Sequence, residues 1–403
     1  MRPPPSGSLV ESNLCPEGTK SCDHLLLREE RLMMIGFVVN PIAGMGGRVA
    51  LKGTDNVAQT ARELGAVPVA PERAMQFLKR VKDLRLDAQI SLLTAPRTMG
   101  ECEVKSAGLK ADIVYLKIGE VTTASDTKSA VEMMIQGGSV IICFVGGDGT
   151  ARDVLDAIGD RDIPVVAIPS GVKMHSAVFA FTPAEAAELL QAFVRGQAKI
   201  AELEVLDVDE EAARKDDLSV KLYGYMKSVY VPSLVQLGKQ ASQGTDDELE
   251  NQRAIAKSLA EEMRRGDTYI MGPGTTVREL ARLLGIGKTL LGVDIYRDGE
   301  VHFDVSEKQI LDTVRNWSRT WIVVSPIGRQ GVIFGRGNLQ ISSAVLERVR
   351  RDRILVIATL TKISGIEAGV LRVDCGDPVV NETLKGYIRV LTDYREWRMM
   401  KVV

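Results

Sequence analysis

Ser139-Val140-Ile141-Ile142-Cys143-Phe144-Val145, followed by Gly146-Gly147-Asp148-Gly149-Thr150, is the stretch on which the fold turns. Seven residues with one hydroxyl among apolar side chains read as a buried strand, and Ala151 to Ile158 reads as a helix. A strand, a glycine-rich turn and a helix start make an anion site. Glycine lets the backbone approach a phosphate, and a helix N-terminus offers N–H groups and partial positive charge. Asp148 opposes that reading, because a carboxylate repels phosphate. It has a purpose there if it holds a metal ion that bridges to phosphates, or takes the proton of a hydroxyl attacking a phosphoryl group. The competing reading is an ordinary Asp-Gly turn.

A second unit of the same kind lies upstream. Ile35 to Asn40 is a short apolar strand, followed by Pro41-Ile42-Ala43-Gly44-Met45-Gly46-Gly47 and a helix-like stretch to Leu64. Ala88 to Thr94 and Asp112 to Leu116 read as further strands, with helices over Arg97 to Gly108 and Thr123 to Gln136 between them. Strands alternating with helices imply a parallel sheet, whose ligands gather at the carboxyl ends of the strands. Thr182-Pro183-Ala184-Glu185 is a capping box with proline at the first helical position.

Beyond residue 200 the texture changes to β-branched and aromatic residues, in Glu204 to Asp209 and Leu218 to Tyr230. The expected organisation is a tail over 1–33, an α/β domain over 34–200 and a second domain over 201–403. Thr245-Asp246-Asp247-Glu248 opens a helix whose charges read as a solvated face. After a short strand comes Met271-Gly272-Pro273-Gly274-Thr275-Thr276, a third glycine- and hydroxyl-rich turn before a helix.

These motifs together resemble a known superfamily. Asn40-Pro41 with Gly44, Gly46 and Gly47, then Gly146 to Thr150, look like NAD kinases, lipid kinases and phosphofructokinases. Ile163 to Gly171, Asp267 to Thr276 and Ile322 to Asn338 narrow the likeness to the prokaryotic ATP-NAD kinase-like proteins. The resemblance implies an N-terminal parallel-sheet α/β domain, a second, sheet-rich (α+β) domain, and a cleft between them. It implies a kinase that moves a phosphoryl group from ATP or polyphosphate to the 2′-hydroxyl of NAD. Asp148 would be base and metal ligand, with Mg²⁺ or another divalent cation bridging the donor phosphates. Asn40, Gly44, Gly46, Gly47, Gly146, Gly147, Gly149, Thr150, Gly272, Gly274, Thr275 and Thr276 would contact nucleotide. Two departures stand out. Leu203 to Asp207 carries no asparagine where NAD kinases have one for the adenosine, and Arg152-Asp153 stands where lipid kinases have Asn-Glu.

Three further candidates follow from position. Arg152 sits in a first helical turn, where a cation opposes the macrodipole, so a phosphate partner is expected. Lys173 and His175 lie just past the strand Pro164 to Ile168, at the same sheet edge as Asp148. Lys173 would neutralise phosphate and His175 would hydrogen-bond substrate.

Composition sets limits. The chain has 403 residues, 45% of them hydrophobic, enough for two cores. A net charge of −2 with 5% aromatics argues against a nucleic-acid binder, and the partners that the resemblance implies are small-molecule nucleotides. No apolar run is long enough for a bilayer, and the first residues lack a signal core, so no membrane partner, a cytoplasmic location and a homo-oligomer are expected. Five scattered cysteines suggest reduced thiols, and Cys15, Cys22 and His24 lack the spacing of a common zinc site. A P-loop signature and the G-x-G-x-x-G fingerprint are both absent. A kinase of another hydroxyl (lipid or polyol) and a non-catalytic nucleotide sensor remain the alternatives.

Overall fold

The computed structural model describes residues 32–51, 58–119, 121–171, 174–208, 220–230 and 246–403. Lys173, Asp209, Cys15, Cys22, His24 and the tail lie outside the described residues.

The first sheet has seven strands: β1 (Met33–Val39), β2 (Ile90–Thr94), β3 (Ala111–Ile113), β4 (Ile141–Gly146), β5 (Val165–Pro169), β6 (Lys199–Val208) and β7 (Val220–Tyr230), in the order β3-β2-β1-β4-β5-β7-β6. Strands β3, β2, β1, β4 and β5 are mutually parallel. Every residue of β4 is buried, which is why it reads as a continuous apolar run rather than an alternating one. Two helix pairs pack around this sheet, Ala70–Asp83 with Pro183–Val194 and Ala124–Gln136 with Asp148–Ile158. The rings of Phe37 and Phe77 stack at 5.8 Å, and Phe144 meets Phe179 edge-on at 5.7 Å. As expected, Thr182 caps its helix by accepting from the Glu185 N–H.

The first sheet extends past residue 200. The texture change read there marks an antiparallel hairpin, β6 with β7, joined to β5 through Val165 and Ser228. Local composition distinguishes a hairpin from a βα unit but does not say which sheet the hairpin joins.

The second sheet has nine strands: β8 (Thr268–Met271), β9 (Asp294–Arg297), β10 (Glu300–His302), β11 (Thr320–Val324), β12 (Val332–Phe334), β13 (Ile354–Ile357), β14 (Val370–Val373), β15 (Gly386–Asp393) and β16 (Glu396–Val402). Their order is β10-β9-β8-β11-β13-β15-β16-β14-β12. Strands β8, β11, β13 and β15 run parallel. Side chains alternate across them. Ile270, Ile322, Val356 and Val390 enter one core, while Tyr269, Met271, Val323, Ile357 and Leu391 enter another with Ile255, Ala256 and Leu259 of the Asp246–Glu262 helix. The chain thus forms an N-terminal α/β domain followed by a sheet-rich one.

The two sheets meet through β12, β14 and their loops. Arg73 donates to Asp374 at 2.6 Å with both side chains buried, and Arg372 reaches Glu185 at 2.9 Å. The Gln76 amide donates to the Gly376 carbonyl at 3.1 Å.

Candidate functional site

Three loops leave the carboxyl edge of adjacent parallel strands β1, β4 and β5, and they are tied to one another. After β1, the Asn40 side chain donates from Nδ2 to Thr150 Oγ1 at 2.9 Å, and its backbone N–H reaches the Val145 carbonyl. After β5, the N–H groups of Ser170 and Gly171 both donate to the Gly146 carbonyl. The glycines permit these contacts. A Cβ on Gly44, whose φ is +77°, would lie 1.8 Å from the Ser170 carbonyl oxygen. Gly147 and Gly171 touch through their Cα atoms, so a Cβ on Gly171 would come within 2.8 Å of its neighbour. Part of what reads as a phosphate-approach signature is therefore loop-on-loop packing.

The helix after β4 begins earlier than expected, at Asp148, with Gly147 as its cap and no side chain in the capping role. Thr150 consequently lies inside the first turn and does not cap an Ala151 helix. Asp153 stands 3.9 Å from Lys128. Asp148 accepts two backbone hydrogen bonds, from the His175 N–H to Oδ2 at 2.7 Å and from the Ser176 N–H to Oδ1 at 2.9 Å. The carboxylate thus pins the β5 loop against the helix start. His175 and Ser176 are buried, and the Ser176 hydroxyl accepts from the Leu206 N–H at 2.9 Å. Arg152 lies 6.0 Å from the Tyr223 ring of β7, turned toward the hairpin.

The second half of the chain adds to this cluster from its Gly335-Arg336-Gly337-Asn338 loop. Leu339 closes over Gly47, where a Cβ would meet it at 2.5 Å. Arg336 is buried and donates to the Phe181 carbonyl at 3.2 Å and to Gln330 at 3.3 Å. Burial pushes its guanidinium down to about 10, while Asp374, Glu185 and Asp148 pull the other way. Glu185 is raised by burial, with Arg372 opposing. Arg336 was not among the residues singled out from sequence. Its only local signal is an arginine between two glycines.

Gly272, Gly274, Thr275 and Thr276 are not brought to this cluster by any described hydrogen bond, ion pair or ring contact. Their loop follows β8, six strand-to-strand steps along the second sheet from β12. Gly274 is the N-cap of the Thr275–Leu283 helix, which has no side-chain cap hydrogen bond. Thr276 is buried, and Glu279 pairs with Arg282 at 2.7 Å.

Among the described residues no group of three or more His, Cys, Asp or Glu could hold a metal. A divalent cation at the β4 loop would have the Asp148 carboxylate as a protein ligand. That fits a magnesium ion, which often takes one carboxylate and fills its shell with donor phosphates and water.

Residues 35–198 match the ATP-NAD kinase N-terminal domain and residues 265–402 the ATP-NAD kinase C-terminal domain. No curated protein is similar in sequence. Among solved structures, a UDP-N-acetylglucosamine 2-epimerase is 11% identical over 88% of this chain and 71% of its own, with a TM-score of 0.23, too weak a likeness to bear on fold or function. With both halves matched in order by the two domains of one family, the chain belongs to the ATP-NAD kinase family.

Proposed function

We propose that the protein is a kinase that transfers a phosphoryl group from ATP or polyphosphate to the 2′-hydroxyl of NAD. The observation that carries this reading is a carboxylate, Asp148, at the first position of an uncapped helix start, ringed by loops from β1 and β5 at the carboxyl edge of a parallel sheet. Phosphoryl transfer asks mainly for positioning and electrostatics. The first-turn N–H groups offer charge-complementary contacts to phosphate. Asp148 would orient the attacking hydroxyl and take its proton. Arg336 brings positive charge from the second half of the chain. A bound divalent ion would neutralise charge between the donor phosphates, and Asp148 is the residue placed to share it.

A second reading rests on the same carboxylate. Because both Asp148 oxygens hold backbone N–H groups, the residue can serve as a loop clamp in a non-catalytic nucleotide binder. A coupled assay with an NADP-specific dehydrogenase separates the two. NADP formation from NAD with ATP or polyphosphate supports the kinase. Phosphorylation of another hydroxyl compound without NADP keeps the kinase and removes NAD as acceptor. Nucleotide binding by calorimetry without any phosphorylation supports the binder.

A further inference from the structure

We propose that Arg336 is a positioning residue for the Asp148 carboxylate. From the second half of the chain it holds the main chain at Phe181, and the buried segment 174–181 carries that hold to the two N–H groups that Asp148 binds. The proposal deepens the kinase reading and rests on it only for the expected loss of turnover.

Met174 to Phe181 are eight consecutive buried residues outside any helix or strand. Such a run keeps one path only if its main-chain groups find partners, because a buried, unpaired N–H or C=O is costly. The partners follow one another along the run. Asp148 accepts from the His175 and Ser176 N–H groups. The Ala177 N–H donates to the Glu204 carbonyl of β6 at 2.8 Å, and the Ala180 N–H to the Ala167 carbonyl of β5 at 3.1 Å. These anchors belong to the first sheet and its loops. At the far end the second half takes hold. The Phe181 carbonyl accepts from Arg336 Nη2 at 3.2 Å, and the Phe181 ring lies 4.0 Å from the Arg372 guanidinium.

The turn that presents Arg336 is shaped around that one side chain. Gly335 and Gly337 have φ angles of +122° and +102°. A Cβ on Gly335 would lie 2.4 Å from the Asp374 carbonyl oxygen, and one on Gly337 would lie 2.7 Å from Ile327 Cδ1. Asn338 is fully buried and locks the turn from within. Its Oδ1 accepts from the Gly335 N–H and its Nδ2 donates to the Ile333 carbonyl, both at 2.9 Å. Gln330 Oε1 accepts from the same guanidinium nitrogen at 3.3 Å. The ion pairs between the halves, Arg73 with Asp374 and Arg372 with Glu185, join side chain to side chain. Arg336 instead reaches a backbone carbonyl, which fixes where the chain runs. Asp148 is near enough to act on its charge, so the hold and the carboxylate lie within electrostatic reach of each other.

The test is amide hydrogen exchange of the full chain, read by mass spectrometry over 174–181 and normalised to β4, whose buried core position reports global opening. Arg336→Met should speed exchange of the segment roughly tenfold or more, since a hydrogen bond from a charged group is lost at its anchor. Arg336→Gln, a milder change, should speed it severalfold, and it carries the test should Arg336→Met fail to fold. Arg73→Met breaks a buried tie between the halves without touching the segment and should leave the wild-type ratio. In the NADP-coupled assay Arg336→Met should lower kcat roughly tenfold with KM for NAD and ATP unchanged, as expected of lost positioning rather than lost binding. Wild-type exchange over 174–181 in both Arg336 variants overturns the proposal. Equal speeding by Arg73→Met, or an unchanged kcat in a variant whose segment has loosened, overturns it as well. If the wild type forms no NADP yet exchange changes as expected, the kinase reading falls and the positioning contact stands.

Discussion

The His175 backbone N–H donates to Asp148 Oδ2 at 2.7 Å, and through this bond the carboxylate of the glycine-rich loop governs the shape of the loop beside it. Ser176 repeats the contact on the other oxygen. In Asp148→Asn one oxygen becomes an NH₂ group, which faces an N–H donor instead of accepting from it. The substitution should therefore reduce turnover by about a hundredfold or more and also destabilise the fold by about 1–3 kcal/mol. Turnover is read in the NADP-coupled assay and stability in urea. Near-wild-type turnover removes the chemical role, and unchanged stability removes the clamp.

Gly44 and Gly65 give a matched test of loop packing. Their φ angles are +77° and +82°, but a Cβ on Gly44 would strike the Ser170 carbonyl while one on Gly65 meets nothing within 4 Å. Gly65→Ala should destabilise by about 1–2 kcal/mol, the strain of a left-handed alanine. Gly44→Ala adds the overlap and should exceed it by about 1–3 kcal/mol. Equal urea midpoints for the two variants would show that the loops after β1 and β5 do not pack as described.

The contrast between local and non-local information explains what the sequence made legible. The strand, glycine turn and helix around Asp148 are contiguous, so apolar runs and turn residues reveal them. The sequence reading stops at Leu64 and resumes at Ala88, so it passes over the helix Ala70–Asp83, whose Arg73 bridges to Asp374. The hairpin of β6 and β7 was visible as β-rich texture, but its attachment to β5 depends on one long-range pairing. Likewise Gly272 to Thr276 follow β8, six strands along the second sheet from β12, and that order is not written in local sequence. Glu248 and Gln252 read as solvated helix charge and polarity. Their inward turn follows from Ile255, Ala256 and Leu259 sharing that helix's buried stripe.

Arg73 and Asp374 form a buried pair between the two halves of the chain, 2.6 Å apart. Arg73→Met leaves Asp374 buried with a missing partner, an arrangement that destabilises by about 3–5 kcal/mol. The double variant Arg73→Met/Asp374→Leu removes both charges and should recover most of that loss. Chemical denaturation of the two single variants and the double completes a thermodynamic cycle. Additive losses would show that the pair does not couple the halves.

Lys362 supplies a prediction about pH whose sign is opposite to that of most salt-bridged lysines. Its ammonium is lowered from 10.5 to about 8 by burial, with the charge of Glu248 resisting the shift. Between those values the unfolded chain binds the proton and the folded chain releases it. Unfolding then takes up protons, so this lysine makes stability rise with pH across that window. Below about 8 both states are protonated, and the full penalty of burying the charge is felt. Tyrosines and other lysines titrate in the same range, so the difference between wild type and Lys362→Met is the informative quantity. In urea unfolding from pH 7 to 10.5, the wild-type curve should climb relative to that of Lys362→Met. Parallel curves would mean that the amine keeps its ordinary protonation, and that burial does not press on it.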